Sequence, residues 1–358
     1  MSRYSPDAYR QLFPPYRAGG GPLRPGENGD HYRAEPHFFE WWYFDVAFPD
    51  GGWLVAIFHS APFNVGDHRP TLDLRYYSPD GSPIVAIGRF ARREYQAERD
   101  PFRVRVGPSW AAEEGEVYRL HLRQGPLAAD LTFLPQLSGW RVGSGHLFAE
   151  PATGHHFDWV VPVPHARVEG WLEVGGEGRP VAGVGYHDHN WGNLYLPTAF
   201  RGWRWGRVWG GVWTLVFGDL TGRGDAARVT PLLLGGEGQV RELPEGFRLR
   251  DTGPGSDHLI LEAAGGTDLS LSLALAGPME VTRFAALRLW LVPWRRQAES
   301  LFYLAQPVPG LGRVVGAFLG TGTYRRWPAR GALRIAAEEV QVQGVVEEMA
   351  FGSGGRGR

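Results

Sequence analysis

Between residues 183 and 193 the chain reads GVGYHDHNWGN, with two histidines, an aspartate, an asparagine, a tyrosine and a tryptophan between glycines. Three chemistries suit such a set. Read as a strand, Val184, Tyr186, Asp188 and Asn190 share one face, and His187, His189 and Trp191 share the other. An aspartate beside a tyrosine and an asparagine in an aromatic cavity is partly desolvated, which favours its protonated form and makes it a proton donor. The second chemistry is metal binding by the His187-x-His189 pair. It lacks a nearby third ligand, because Asn193, Leu194 and Tyr195 stand where a cupin places a glutamate; a third ligand would have to come from a histidine distant in sequence, His37, His59, His155, His156 or His165. We therefore expect no bound transition metal. The third possibility is a decorated turn in which Asp188 and Asn190 bind backbone amides.

Two further clusters accompany this stretch. In HFFEWWYFDV, His37 to Val46, alternation puts Trp41, Tyr43 and Asp45 on one face and Glu40, Trp42 and Phe44 on the other. Such a strand is either a barrel wall with a satisfied glutamate or a cavity wall whose aromatic faces stabilise a cation. The segment GHHFDWVVPVPH, Gly154 to His165, offers His156 and Trp159. Other routes are weak. No G-x-S-x-G nucleophile elbow and no G-x-G-x-x-G in a strand–helix unit is present. Absence of cysteine removes thiol chemistry and Cys-ligated metal, and absence of lysine removes Schiff-base chemistry.

Short strands must position these residues. Glycine (51) and proline (28) punctuate stretches of period two, such as WLVAIF (Trp53–Phe58), LDLRY (Leu72–Tyr76), YRLHL (Tyr118–Leu122), WTLVF (Trp213–Phe217) and LSLSLAL (Leu269–Leu275). Pro49-Asp50-Gly51 and Pro79-Asp80-Gly81 mark turns. Helical character is confined to Thr282–Trp294 and a turn at Ser5–Phe13. The pattern predicts an all-β barrel or sandwich. Glu40–Phe58 can be laid on Arg201–Phe217 as a faint repeat of a Trp-rich strand, a Gly-Gly turn and an apolar strand. This gives an N-terminal domain over 30–195 and a C-terminal one over 196–351, after a partly disordered leader (1–29) and before a disordered tail (352–358).

Composition narrows the partners. With 358 residues and a net charge of −1, nothing points to nucleic acid. No run of about 18 apolar residues and no apolar leader segment occurs, so we expect a cytoplasmic chain, in peripheral contact with the inner membrane at most. The 15 Trp, 13 Tyr and 19 Phe suit a large aromatic core or an apolar ligand pocket. The sequence leaves the oligomeric state open.

EWWYFDV (Glu40–Val46), GYHDHNWGN (Gly185–Asn193) and the Trp/Gly-rich strand just after it resemble the lipocalin-like family of carotenoid 1,2-hydratases (hydroxyneurosporene synthases) and AttH-type proteins. That family also holds Diels–Alderase-type pericyclases; plant tocopherol cyclase is a looser relative. The resemblance spans about residues 30 to 350. It implies an all-β tandem of two lipocalin-like barrels with few helices and a deep apolar cavity near their junction. It also implies isoprenoid or polyketide substrates and no metal or organic cofactor. Matched by position, Asp188 is the acid that protonates a terminal alkene, Tyr186 is its neighbour, and His156 with Trp159 is the nearest match to an upstream histidine–tryptophan pair. Substrate would lie against Glu40, Trp42, Tyr43, His59, Trp159, His187, Asn190, Trp191, Trp203 and Trp205. The expected activity is a cofactor-independent hydratase or cyclase of a polyene. A pericyclase of a polyketide-type substrate and a non-enzymatic carrier of a hydrophobic ligand are the alternatives.

Overall fold

A computed structural model describes residues 18–63, 67–80, 82–143, 146–150, 154–222, 228–251, 257–285, 301, 315 and 320–352. It is built almost wholly of antiparallel strands in two sheets. Along its main path the first, 14-stranded sheet runs in the order Pro83–Arg89, Thr71–Tyr77, Trp53–Ala61, Phe39–Ala47, Glu177–Gly192, His155–Val174, Leu127–Pro135, Val117–Gln124, Ser109–Glu114, Arg103–Val106, Tyr95–Glu98. The second, 11-stranded sheet centres on Trp213–Gly222, Phe200–Gly210, Glu338–Phe351 and Thr321–Ile335. A short helical turn, Leu196–Ala199, lies where the chain passes from one sheet to the other.

Each sheet curls over its own core. In the first, Leu72 and Leu74 from one end of the path share a cluster with Val104 and Leu122 from the other. In the second, Leu234 and Leu243 join Phe247 and Leu261 in the same way. The expected tandem of two lipocalin-like barrels is thus the observed architecture. A third cluster, including Tyr43, Val55, Tyr186, Trp205, Val216 and Val345, fills the junction between the sheets.

Strands at the junction are buried on both faces, which explains why EWWYFDVA is almost continuously apolar. The two halves of the faint repeat are hairpins, Phe39–Ala47 with Trp53–Ala61 and Phe200–Gly210 with Trp213–Gly222. They meet face to face, with Tyr43 edge-on to Trp205 at 5.5 Å and Trp53 against Trp209 at 6.0 Å.

Buried charge crosses the same junction. Arg207 Nη2 donates to Asp45 Oδ1, and Nε donates to Oδ2 at 3.3 Å, with both side chains fully buried. Arg326 Nη1 donates to Tyr43 Oη at 2.7 Å and to Glu347 Oε1. Arg75 pairs with Glu280 across the gap, and Tyr77 Oη donates to Glu280 Oε2 at 2.5 Å. Removing one partner of such a pair typically costs about 3–5 kcal/mol, because a charge is left buried alone.

The leader is expected to be partly disordered over 1–29; its described part, from Ala18 on, is pinned: Gly21–Pro22 pair with Trp140–Arg141, and Trp42 Nε1 donates to the Asn28 carbonyl at 2.8 Å. One expectation is corrected. Helical character was expected from Thr282, but Glu280–Ala285 is a strand paired with Thr321–Arg326; register with a long neighbour outweighs local period. The rest of that stretch, Ser5–Phe13 and most of the tail lie outside the described residues.

Candidate active site

The face of strand Glu177–Gly192 that carries Tyr186, Asp188 and Asn190 is turned to the junction. Trp159 comes to the same place from the neighbouring strand, opposite Asn190. A pair of prolines sets that strand's phase. Pro162 and Pro164 lack a ladder N–H, and the register slips between Val160 and Val163 and again between Val163 and Ala166. Before the slip, Trp159 and Val161 face the junction; after it, Val163, Ala166 and Val168 face the interior of the first sheet.

The result is an open-mouthed cavity of about 530 Å³, mouth included. The first sheet supplies Trp41, Tyr43, Phe157, Trp159, Asp188 and Asn190, and the second supplies Trp203, Arg204, Trp205, Gly218, Leu220 and Glu347; Leu147 completes the wall. Gly218 keeps space open, since a Cβ there would come within 3.3 Å of the Trp159 ring.

Asp188 is 5% exposed. Its Oδ2 accepts from Tyr186 Oη at 2.8 Å and from Trp159 Nε1 at 3.1 Å, and its Oδ1 accepts from Asn190 Nδ2 at 2.9 Å. Burial pushes its pKa from 3.8 up to about 8 against the pull of those hydrogen bonds, and the Glu347 and Asp45 carboxylates add to the rise. A pKa of about 8 favours the protonated form at neutral pH. Glu347 lies on the same cavity, 12% exposed at its side chain, and is held by Tyr43 Oη at 2.9 Å and by Arg326. Burial raises its pKa too, while Arg326 opposes the rise.

Among the residues expected at the site, the structure brings Asp188, Tyr43, Trp159, Asn190, Trp203 and Trp205 to the cavity, with Tyr186 hydrogen-bonded to the acid. Others are set apart. Trp42 lies on the reverse face of its strand, stacked on His189 at 4.5 Å; the cavity tryptophan is its neighbour Trp41. Glu40 is fully buried between Ser60 Oγ, the His31 amide and His189 Nε2. His187 stacks on Phe44 at 3.9 Å, and Trp191 stacks on His31 at 3.9 Å. His59, the cross-strand partner of Trp41, lies beside it with ring centroids 6.5 Å apart and outside the cavity lining, its pKa lowered by burial to about 4.

His156 is the main departure. It stands three residues before Trp159 on a regular stretch of strand, so it points away from the cavity, and its Nδ1 meets Asp158 Oδ2. The side chain that shares the cavity face with Trp159 is Phe157. Among the described residues, no histidine lines this cavity. The sequence reading missed Trp41, which alternation places beside Tyr43, and Glu347, for which no local pattern gives a signal.

For metal binding, His187 and His189 are spent. His187 contacts the Tyr43 carbonyl through Nδ1 at 3.0 Å and Asn28 Oδ1 through Nε2 at 3.1 Å. His189 contacts the Glu27 carbonyl at 3.3 Å and Glu40 Oε1 at 3.2 Å. Among the described residues, ligating atoms do gather at His146, His156 and Asp158.

Parts of the chain are similar to known proteins. Residues 92–251 match the family model of carotenoid hydratase CrtC. A hydroxyneurosporene dehydrogenase of Chlorobaculum tepidum is 25% identical over 255 residues, covering 57% of this chain and 62% of that protein. An acyclic carotenoid 1,2-hydratase of Thiocapsa roseopersicina is 25% identical over 237 residues, covering 61% of this chain and 56% of that protein. The chain thus spans about three fifths of the length of these relatives. Three solved structures share the fold. An AttH protein of Nitrosomonas europaea superposes with a TM-score of 0.60 at 15% identity, covering 92% of this chain and 97% of that one. CghA bound to Sch210972 gives 0.62 at 14%, covering 97% and 98%. Kievitone hydratase of Nectria haematococca gives 0.58 at 13%, covering 96% and 98%. The resemblance read from the sequence motifs therefore stands, and the matched stretch contains the strand that bears Asp188.

Proposed function

We propose that this protein is a hydratase or cyclase that protonates an alkene of an apolar polyene with Asp188. One observation carries the reading: a buried carboxyl group, its pKa raised by that burial, lies on an aromatic cavity. Two donors on Oδ2 against one on Oδ1 favour Oδ1 as the site of the proton. Asp188 gives that proton to the less substituted alkene carbon, and the positive charge develops on the more substituted one. The faces of Trp41, Tyr43, Trp159, Trp203 and Trp205, together with the Glu347 carboxylate, stabilise it. Water then captures the cation in a hydration, and an internal alkene or hydroxyl captures it in a cyclisation.

The names of the relatives, an acyclic carotenoid 1,2-hydratase among them, support an isoprenoid chain with a terminal trisubstituted alkene as substrate. The aromatic lining, with Phe157 on the cavity face that the expected His156 does not reach, favours cyclisation as the second reading.

The test is turnover of an acyclic carotenoid in D2O. One deuterium is expected on the carbon next to the new hydroxyl or ring bond, and Asp188→Asn abolishes the product while substrate binding persists. A fully active Asn variant giving unlabelled product would leave a pericyclase or a carrier, for which only cavity shape matters.

A further inference from the structure

We infer that His146, His156 and Asp158 form a binding site for a divalent ion of the zinc class on the outer side of the cavity wall. Their ligating atoms lie within 4.8 Å of one another. His156 and Asp158 are two apart on strand His155–Val174 and so share the face opposite Trp159, while His146 arrives from the segment before strand Phe148–Glu150. Nδ1 of His146 faces Asp158 Oδ1, and Nδ1 of His156 faces Asp158 Oδ2.

An imidazole nitrogen and a carboxylate oxygen both present lone pairs. Gathered in this way they are held together either by a proton on each ring, donated to Asp158, or by one cation serving both once the three side chains open to coordination distances. A single ion between two imidazoles and a carboxylate meets the usual preference of zinc for nitrogen and oxygen donors, and leaves a position for water. The burial gradient fits an exchangeable ion: the Asp158 side chain is 1% exposed, His156 25% and His146 51%, so the anchor is inside and the entry is from solvent. His187 and His189 offer no such donors, because both nitrogens of each ring are already engaged by protein atoms.

The site has a structural consequence for the cavity. Leu147 follows His146, and Phe157 and Trp159 flank Asp158; all three line the cavity on the other side. An ion would therefore clamp the Leu147 segment to the strand that carries Trp159, without touching Asp188. This inference does not depend on the proposed reaction.

The experiment uses the full chain, stripped with a chelator and titrated with Zn2+ by calorimetry, with Co2+ as a spectroscopic probe. One equivalent should bind, visible cobalt bands should appear, and added zinc should raise the melting midpoint. His146→Ala should weaken zinc by more than the roughly 10–100-fold that loss of an outer-shell partner costs, and should abolish the zinc-induced rise. His121→Ala, at the separate exposed His121–Asp130 pair, should change neither. His156→Ala should behave like His146→Ala; if it does not fold, the more exposed His146 decides alone. Failure of the wild-type chain to take up zinc, or uptake that is unchanged in His146→Ala, overturns the site and leaves the two histidines as hydrogen-bond partners of Asp158.

Discussion

On one face of strand Glu177–Gly192, Tyr186, Asp188 and Asn190 lie toward the cavity; on the other, His187, His189 and Trp191 are packed against Phe44, Trp42 and His31. Burial acts on both faces with the same physical sign. It neutralises Asp188 by raising its pKa to about 8 and neutralises His187 by lowering its pKa to about 3. The outcome differs in kind. A neutral carboxyl group has a proton to give and a cavity to give it into. A neutral imidazole wedged between Phe44, Asn28 and a backbone carbonyl serves as packing and as a hydrogen-bond partner. A polar motif on a strand thus divides into a chemical half and a structural half by alternation alone.

The largest expected contrast is between Asp188→Asn and His187→Ala. The first should lower kcat by about two to four orders of magnitude, the usual share of a general acid, with an unchanged or raised melting midpoint. The second should leave kcat of the folded fraction intact but destabilise by about 2–4 kcal/mol, through the cavity it opens and the partners it strands. Denaturant titration beside turnover measures both, and equal losses of kcat would erase the distinction between the faces.

A smaller effect is the pH dependence. The acid works protonated, so activity should fall about tenfold per pH unit once pH exceeds about 8. Stability moves the same way. The folded pKa of Asp188 lies above its unfolded value, so the folded state holds the extra proton between about 4 and about 8. Wild-type stability should therefore decline relative to Asp188→Asn as pH rises through that window, by at most about 1.4 kcal/mol per unit. A flat difference between the two proteins would show that burial does not perturb this group.

The smallest expected effect is that of Tyr186→Phe. It removes one of two donors to Oδ2 and leaves the proton in place, so kcat should drop by about tenfold or less, in line with one hydrogen bond. Because that bond favours the carboxylate, its loss should move the alkaline limb of the pH profile upward.

The all-β character and the division of faces were legible, because period two and turn residues are local signals. Which face meets the cavity was not. Trp42 and Trp41 differ by one position, and only the pairing of strand Phe39–Ala47 with Glu177–Gly192, together with the approach of the second sheet, assigns Trp41 to the site. Glu347 and Leu147 are far from the motif in sequence, and their arrival depends on long-range strand order. Phe157 in place of His156 was obscured by counting distance from a tryptophan without applying strand alternation. The bulge at Pro162 and Pro164 has a visible cause, but its effect on phase appears only in the register.

The buried charges at the junction also determine how this molecule could be recombined. Tyr43, Asp45, Arg75 and Tyr77 sit on one sheet, and Arg207, Glu280, Arg326 and Glu347 sit on the other. A chimera that joined the first sheet of this chain to the second sheet of a distant relative would inherit half of each pair that crosses the seam. Asp45, or Arg207 and Glu280, would then be stranded beneath the aromatic floor of the junction, while Arg75 keeps Asp73 and Arg326 keeps Glu347 on its own sheet. Halves of such proteins are exchangeable only when these eight positions travel as matched sets, so the seam sets the unit in which the fold can be shuffled.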